Sequence, residues 1–429
     1  MILGEHTAPT TSVESERLPT LDELFRAAVT RSPERLALVD PADRYRFTDG
    51  PVRRLTYGEA DRAVSAIARR LLDCGLPANA MVAIQLPNVV ESVLVLLGVL
   101  RAGLIAVPVP LLWRRADMVR ALGRIGARAL IVPRRVGAVD HGDIAAHVAA
   151  ETFAIRFLFG FGDPLPDGVI SLNDIFDVPA TTVAPGERWG DPANHVAVVT
   201  FEVTSEGIIP LARSNAQLVT AGAAVVSELG AAGAGARIIS ASSVASLAGL
   251  ACGVLPWLVG DGTLVLQHPF SAEVFGLQRE RERCTLVVVP GALLSALADA
   301  QLLGPAAVLA LWRTPERLTP AHRLLTDPQR TMSTSGRLVR SPWLPVAAAQ
   351  TVIPKVPLSL SWGVIRRARR CGSKRREARP ARWRCAAPSF RAINSHWAPN
   401  AAVRSGSKLM KTDLWTLDIH VGSIARRIV

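Results

Sequence analysis

Val203 to Asn215, VTSEGIIPLARSN, stands between a strand-like run, HVAVVTF, and a helical one that begins at Ala216. That is the position of a phosphate-binding loop. Thr204 and Ser205 offer hydroxyl donors, and Gly207 lets the backbone turn its N–H groups toward phosphate oxygens. Such a loop also needs a cation. The four lysines are Lys355, Lys374, Lys408 and Lys411, so none is near it. Arg213 is the closest basic residue, and Glu206 sets a carboxylate within the stretch. Two like unit charges ~4 Å apart cost about 1 kcal/mol in water and several times that when partly buried. A lost charge-assisted contact costs about 1.5–3 kcal/mol more. The stretch therefore reads as a strand–loop–helix connection that keeps the shape of a phosphate site without its chemistry, Thr204, Ser205 and Gly207 being the remnant.

No other cluster points to catalysis, and no catalytic residue is assigned. The eight histidines form no H-x-x-x-H pattern, and His195 reads as a surface residue ahead of a strand. The five cysteines (Cys74, Cys252, Cys284, Cys371, Cys385) include no C-x-x-C pair. Metal binding and a disulfide framework are not expected, and a reducing cytoplasm fits. The opening MILGEHTAPTTSVESERLPT carries acidic and polar residues where a secretory segment would be apolar. The uncharged run Ile238–Gly260 is long enough to span a membrane, but its Ser, Gly and Ala content and Pro256 favour a buried core helix. No transmembrane segment is expected.

The elements that must position the loop alternate. Leu21–Asp40 is an amphipathic helix, broken near Pro33, followed by a strand. Thr56 and Glu59 form a capping box for a helix that ends at Gly75. The strand MVAIQL, a helix over Val89–Arg101, the strand LIAVPVP, a helix over Arg115–Ile125 and the strand Ala129–Pro133 follow. The second half repeats the scheme through HVAVVTF, the helix Ala216–Leu229, RIISAS, GTLVLQ, a helix over Ala272–Arg283 and TLVVVP. Helices alternating with buried strands indicate an α/β fold with parallel pairing. The division expected is a disordered 1–17, a first α/β subdomain over 18–162, a connector over 163–191, a second α/β subdomain over 192–330 and a tail over 331–429.

The tail differs in kind. Of the 49 Lys+Arg and 36 Asp+Glu in the chain, residues 331–429 hold 19 and three, a net of +16, against −3 for residues 1–330. Its five tryptophans lie among residues with no sustained period, so it is expected to be irregular, non-native or disordered. One reading is an out-of-frame translation of a truncated gene. The other is a basic segment that binds nucleic acid or an acidic membrane surface. Nucleic-acid modules pair such charge with a recognisable fold. None is visible, so nucleic acid is not the expected partner.

The stretch LTYGEADRAVSAIARRLLDCGLPANAMVAIQLPNVVESVLVLLGVLRAGLIAVPVP resembles the opening of the adenylate-forming acyl-CoA synthetase superfamily, through Thr56, Tyr57, Glu59, Gly75, Pro87, Asn88, Gly98, Arg101, Ala102, Gly103 and Pro108. DPANHVAVVTF, WLVGDGTLVL and TLVVVPGALLSAL resemble later segments of that family, so the likeness covers about residues 18–325. It implies a large domain of stacked αβα layers, here incomplete. It also implies ATP with magnesium, a carboxylic acid activated as its adenylate, and transfer to the thiol of CoA or a carrier protein. The family's phosphate loop reads TSGTTGxPKG. Aligned without gaps, Thr204 and Ser205 fall on its TT, Glu206 on a glycine and Ile209 on the lysine. Ser246, three residues before Gly249, falls where many relatives carry a histidine or aromatic beside the acyl pocket, which makes Ser246 and Gly249 the substrate-pocket candidates. The family's YGxTE segment has no counterpart. Three functions stay open: a synthetase-like protein with weak or no adenylation, an active ligase with a rebuilt loop, and an interaction protein that works through its basic tail.

Overall fold

The computed structural model describes residues 17–179, 183, 188–204, 207–229 and 235–311. The expectations for residues 1–16 and for the basic tail lie outside them. Helix α1 (Leu21–Arg31) starts at a capping box of Thr20 and Glu23. Strands β1 (Leu36–Val39) and β2 (Arg54–Thr56) follow. Helix α2 (Tyr57–Asp73) is entered through the Thr56–Glu59 capping box and left through Gly75 at φ +69. Then β3 (Met81–Ile84), α3 (Val90–Arg101), β4 (Ile105–Pro108), α4 (Arg115–Ile125) and β5 (Ala129–Pro133) succeed one another as the alternation predicts.

The next stretch was not legible in the sequence. It forms a small hairpin, β6 (Arg135–Val136) and β7 (Val139–Asp140), then α5 (His141–Glu151), β8 (Phe157–Phe161) and β9 (Val169–Ser171). The second half runs β10 (Val196–Thr204), β11 (Gly207–Ser214), α6 (Asn215–Leu229), β12 (Arg237–Ser240), α7 (Leu247–Gly249), a π turn (Leu250–Val254) and α8 (Leu255–Gly260). It closes with β13 (Thr263–Leu266), α9 (Ala272–Arg281), β14 (Leu286–Pro290), α10 (Leu294–Asp299) and β15 (Ala307–Leu311). The run Ile238–Gly260 is thus part strand and part helix, because Ser242 to Ser246 break it. Among the described residues no helix is long and apolar enough to cross a membrane.

The strands make two sheets, ordered β15-β14-β12-β13-β1-β2 and β11-β10-β4-β3-β5-β8-β9. All pairings in them are parallel except those of the edge strands β2 and β11. The sheets do not follow the expected division of the chain. β1 lies beside β13, β10 lies beside β4, and the expected connector supplies β9. The chain crosses between the sheets twice.

Period-two burial sets the layers. In β5, Ala129 and Ile131 face the inner cluster that the two sheets share, while Leu130 and Val132 face α4 and α5. In β14, Leu286 and Val288 face the same inner cluster, and Val287 and Val289 face α9 and α10. Helix α3 is buried on every side from Val90 to Val99, as a helix between two sheets must be. Gly98 lets it approach α2, since a Cβ there would meet Ile67 Cγ2 at 2.6 Å. The result is the stacked αβα architecture anticipated from the sequence.

Candidate functional site

The described residues of Val203–Ser214 are strand: β10 and β11 pair antiparallel from Val196–Ser214 out to Thr204–Gly207. Ser205 and Glu206 lie outside the described residues. The physical reason is β-propensity joined to burial. Ile208 lies opposite Val203 and packs against the outer cluster to which Val199 belongs. Pro210, which reads as a breaker, is tolerated because β11 is an edge strand with one partner.

This geometry decides what the phosphate-site candidates do. Thr204 Oγ1 donates to the Gly207 carbonyl at 3.2 Å. Gly207 has φ +118, a conformation that side chains disfavour. Ile209, aligned with the family's lysine, lies opposite Glu202. Arg213 lies opposite Val198, is 8% exposed, and has a buried Nε without a hydrogen-bond partner. Burial lowers its pKa, with Glu202 opposing. A phosphate cradle needs a run of outward N–H groups and a neutralising cation. Thr204 and Gly207 are paired with each other, and the backbone from Gly207 to Ser214 is committed to strand pairing with β10. The described hairpin does not fit ATP. Among the described residues no group of three or more His, Cys, Asp or Glu is arranged to hold a metal ion.

Ser246 and Gly249 come together at the entry to the π turn, and their roles are structural. Ser246 caps α7: its Oγ accepts from Gly249 N at 2.9 Å and donates to the Ser243 carbonyl at 2.8 Å. A Cβ on Gly249 would sit 2.0 Å from the Ser243 carbonyl oxygen. Burial pushes the thiols of Cys252 and Cys284 up to about 12, so neither is a thiolate nucleophile near neutral pH.

The polar cluster that joins the two sheets was missed, apart from Asn88. Asn88 Nδ2 donates to the carbonyls of Ser240 (3.0 Å), the last residue of β12, and Gln267 (3.3 Å), which follows β13. Asp40 accepts from Val90 N at 2.9 Å and Arg53 N at 2.9 Å, and Arg44 bridges Asp40 and Glu91. Glu91 lies 47 residues beyond Arg44 and carries no local signal; the D-x-x-x-R spacing of Asp40 and Arg44 was the one available hint.

The AMP-binding enzyme family model matches residues 25–167. Triostin synthetase I of Streptomyces triostinicus is 28% identical over 285 residues, 65% of this chain and 49% of that protein. A salicyl-AMP ligase / salicyl-S-ArCP synthetase of Mycobacterium tuberculosis is 31% identical over 149 residues, 34% of this chain and 25% of that protein. The apo structure of Mycobacterium smegmatis MbtA superposes with a TM-score of 0.58 at 23% identity, covering 68% of this chain and 52% of that one. The chain thus spans about half or less of the length of each of these relatives.

Proposed function

We propose that this chain, whose N-terminal portion belongs to the AMP-binding, adenylate-forming ligase superfamily, has lost ATP-dependent carboxylate adenylation or keeps it at least ~100-fold reduced. One observation carries the reading: the place of the phosphate loop is taken by a hairpin paired out to Thr204 and Gly207. The missing lysine and the buried Arg213 support it. ATP, magnesium, a carboxylic acid and the thiol of CoA or a carrier protein are what the superfamily brings. On this reading they are not turned over here. Scattered cysteines, with Cys74, Cys252 and Cys284 free, support a reducing cytoplasm.

ATP–pyrophosphate exchange against a panel of aliphatic, aromatic and amino carboxylic acids tests the proposal. The expected result is background exchange with all of them. Exchange with any acid above a tenth of that of an active relative overturns it. A second reading, a rebuilt site around Arg213, rests on that residue's unpartnered Nε. It requires exchange that Arg213→Met abolishes.

A further inference from the structure

The seven-stranded sheet reverses direction at its centre. From β3 the chain runs through α3 to β4 on one side; from β4 it returns through α4 to β5 on the other side of β3. α3, which follows β3, packs into the inner cluster, and α5, which follows β5 and its small hairpin, packs into the outer one through Ala145 and Val148, so the segments after β3 and β5 leave on opposite faces. In open parallel sheets ligands bind in the crevice at such a switch point, outside the carboxyl ends of the strands. A cavity of about 270 Å³ lies there, between Leu86 and Pro87 after β3 and Pro133 at the end of β5, beneath the β1–β2 loop.

Three arginines line this cavity. Arg44 is engaged by Asp40 (2.6 Å), Glu91 (2.8 Å) and Thr48 (3.1 Å). Arg135 is engaged by Asp49 at 2.7 Å and the Gly137 carbonyl at 3.1 Å. Arg53 differs. Its guanidinium lies 3.4 Å from the centroid of the Phe176 ring. Its Nε is buried without a hydrogen-bond partner, and Glu91 Oε1, already engaged by Arg44, is 3.9 Å away. Stacking on an aromatic face fixes the plane of a guanidinium while leaving its edge donors for a ligand.

We propose that this crevice binds a small carboxylate with an apolar body, anchored by Arg53. A carboxylate matches the guanidinium fork with two parallel hydrogen bonds. Leu86, Val89 and Phe161 supply the apolar wall. The volume lies just below the usual range of ligand sites, ~300–1,000 Å³, and suits a ligand no larger than benzoate. A phosphate dianion fits less well, since its second charge faces Glu91 and Asp49. The site is separate from the hairpin, as β4 lies between β10 and β3, and it does not depend on whether adenylation is lost.

Calorimetric titration of the full chain with sodium benzoate tests the proposal. Saturable one-to-one binding is expected, with none for benzamide, which has the shape but not the charge. Arg53→Met should weaken benzoate by at least ~10-fold, and Arg53→Lys, which keeps charge without the fork, by less. The proposal is overturned by no saturable benzoate binding, by benzamide binding equally, by unchanged affinity in Arg53→Met, or by inorganic phosphate binding where benzoate does not. Circular dichroism checks that Arg53→Met folds; where it does not, Arg53→Lys decides, and undiminished affinity in it counts against the anchor.

Discussion

Thr204 and Gly207 are cross-strand partners, and the hydroxyl of the first donates to the carbonyl of the second at 3.2 Å. Two residues that a phosphate site would aim at a ligand face each other instead. The same register sets Ile209 against Glu202. Ile209→Lys places a lysine where the family's loop carries one, yet the new ammonium meets Glu202 across the strands. The expected outcome is a hairpin more stable by ~0.2–1 kcal/mol in thermal unfolding, with pyrophosphate exchange still at background. Exchange gained by this single change would show that charge alone was missing, against the argument from hairpin geometry.

Gly249 separates a packing role from a pocket role. A methyl group there meets the Ser243 carbonyl oxygen at 2.0 Å, and backbone cannot swing aside. Gly249→Ala is expected to destabilise by about 1–3 kcal/mol or more, seen as a lower urea midpoint at unchanged slope. A stable Gly249→Ala variant would return the residue to the list of pocket candidates.

Arg101 is 1% exposed and ties α3 to α1 and α2: Nε to Asp22 at 2.9 Å, Nη1 to Asp61 at 2.7 Å and to Ser65 Oγ at 2.7 Å. Arg101→Met strips a partner from the buried Asp22, which keeps Arg26. A loss of ~3–5 kcal/mol in urea unfolding is expected. Arg101→Lys, lacking the fork, should recover part of it. Equal losses in the two variants would mean that charge contributes nothing and packing everything.

His141 is 1% exposed, with Nδ1 3.1 Å from Gln85 Oε1. Gln85 Nε2 donates to the Pro110 and Trp113 carbonyls, so its oxygen must accept, and Nδ1 carries the proton. Burial, with Arg114 adding, pushes the imidazole down to about 4, and Asp140 opposes. The folded state therefore binds fewer protons than the unfolded chain between pH ~4 and ~6.5. Stability from this residue is full above ~6.5 and falls as pH drops toward 4. His141→Asn should flatten the slope of unfolding free energy against pH in that window relative to the unmodified chain. Parallel slopes would refute the assignment.

The helices were the most legible part. The Thr56–Glu59 box, the apolar stripe of α2 and the Gly75 exit are signals within one segment, and α2 formed where they place it. The order β3, α3, β4, α4, β5 was legible for the same reason. α5 and β8 were not, because HGDIAAHVAAE and FLFGF carry no clean apolar period, and the Asp140 cap of α5 lies in the preceding hairpin strand. β11 was hidden by Gly207 and Pro210, both breakers in isolation and both harmless on an edge strand.

Two matters that bear on function were beyond reach of the linear chain. Whether Val203–Thr204 and Gly207–Ser214 stay apart or pair as strands depends on Ile208 reaching an outer cluster built from other segments of the chain. Whether Arg53 is one more surface arginine or a ligand anchor depends on Phe176, 123 positions later, and on a reversal of strand order that no local pattern encodes. The sequence by itself determined the resemblance of the N-terminal portion to the adenylate-forming superfamily, the α/β alternation and the absence of a lysine from the first 330 residues. These are written in residue types and short-range spacing. Only tertiary structure decided that β11 pairs with β10 at the sheet edge and where the switch-point crevice lies, because pairing and burial depend on the rest of the sheet.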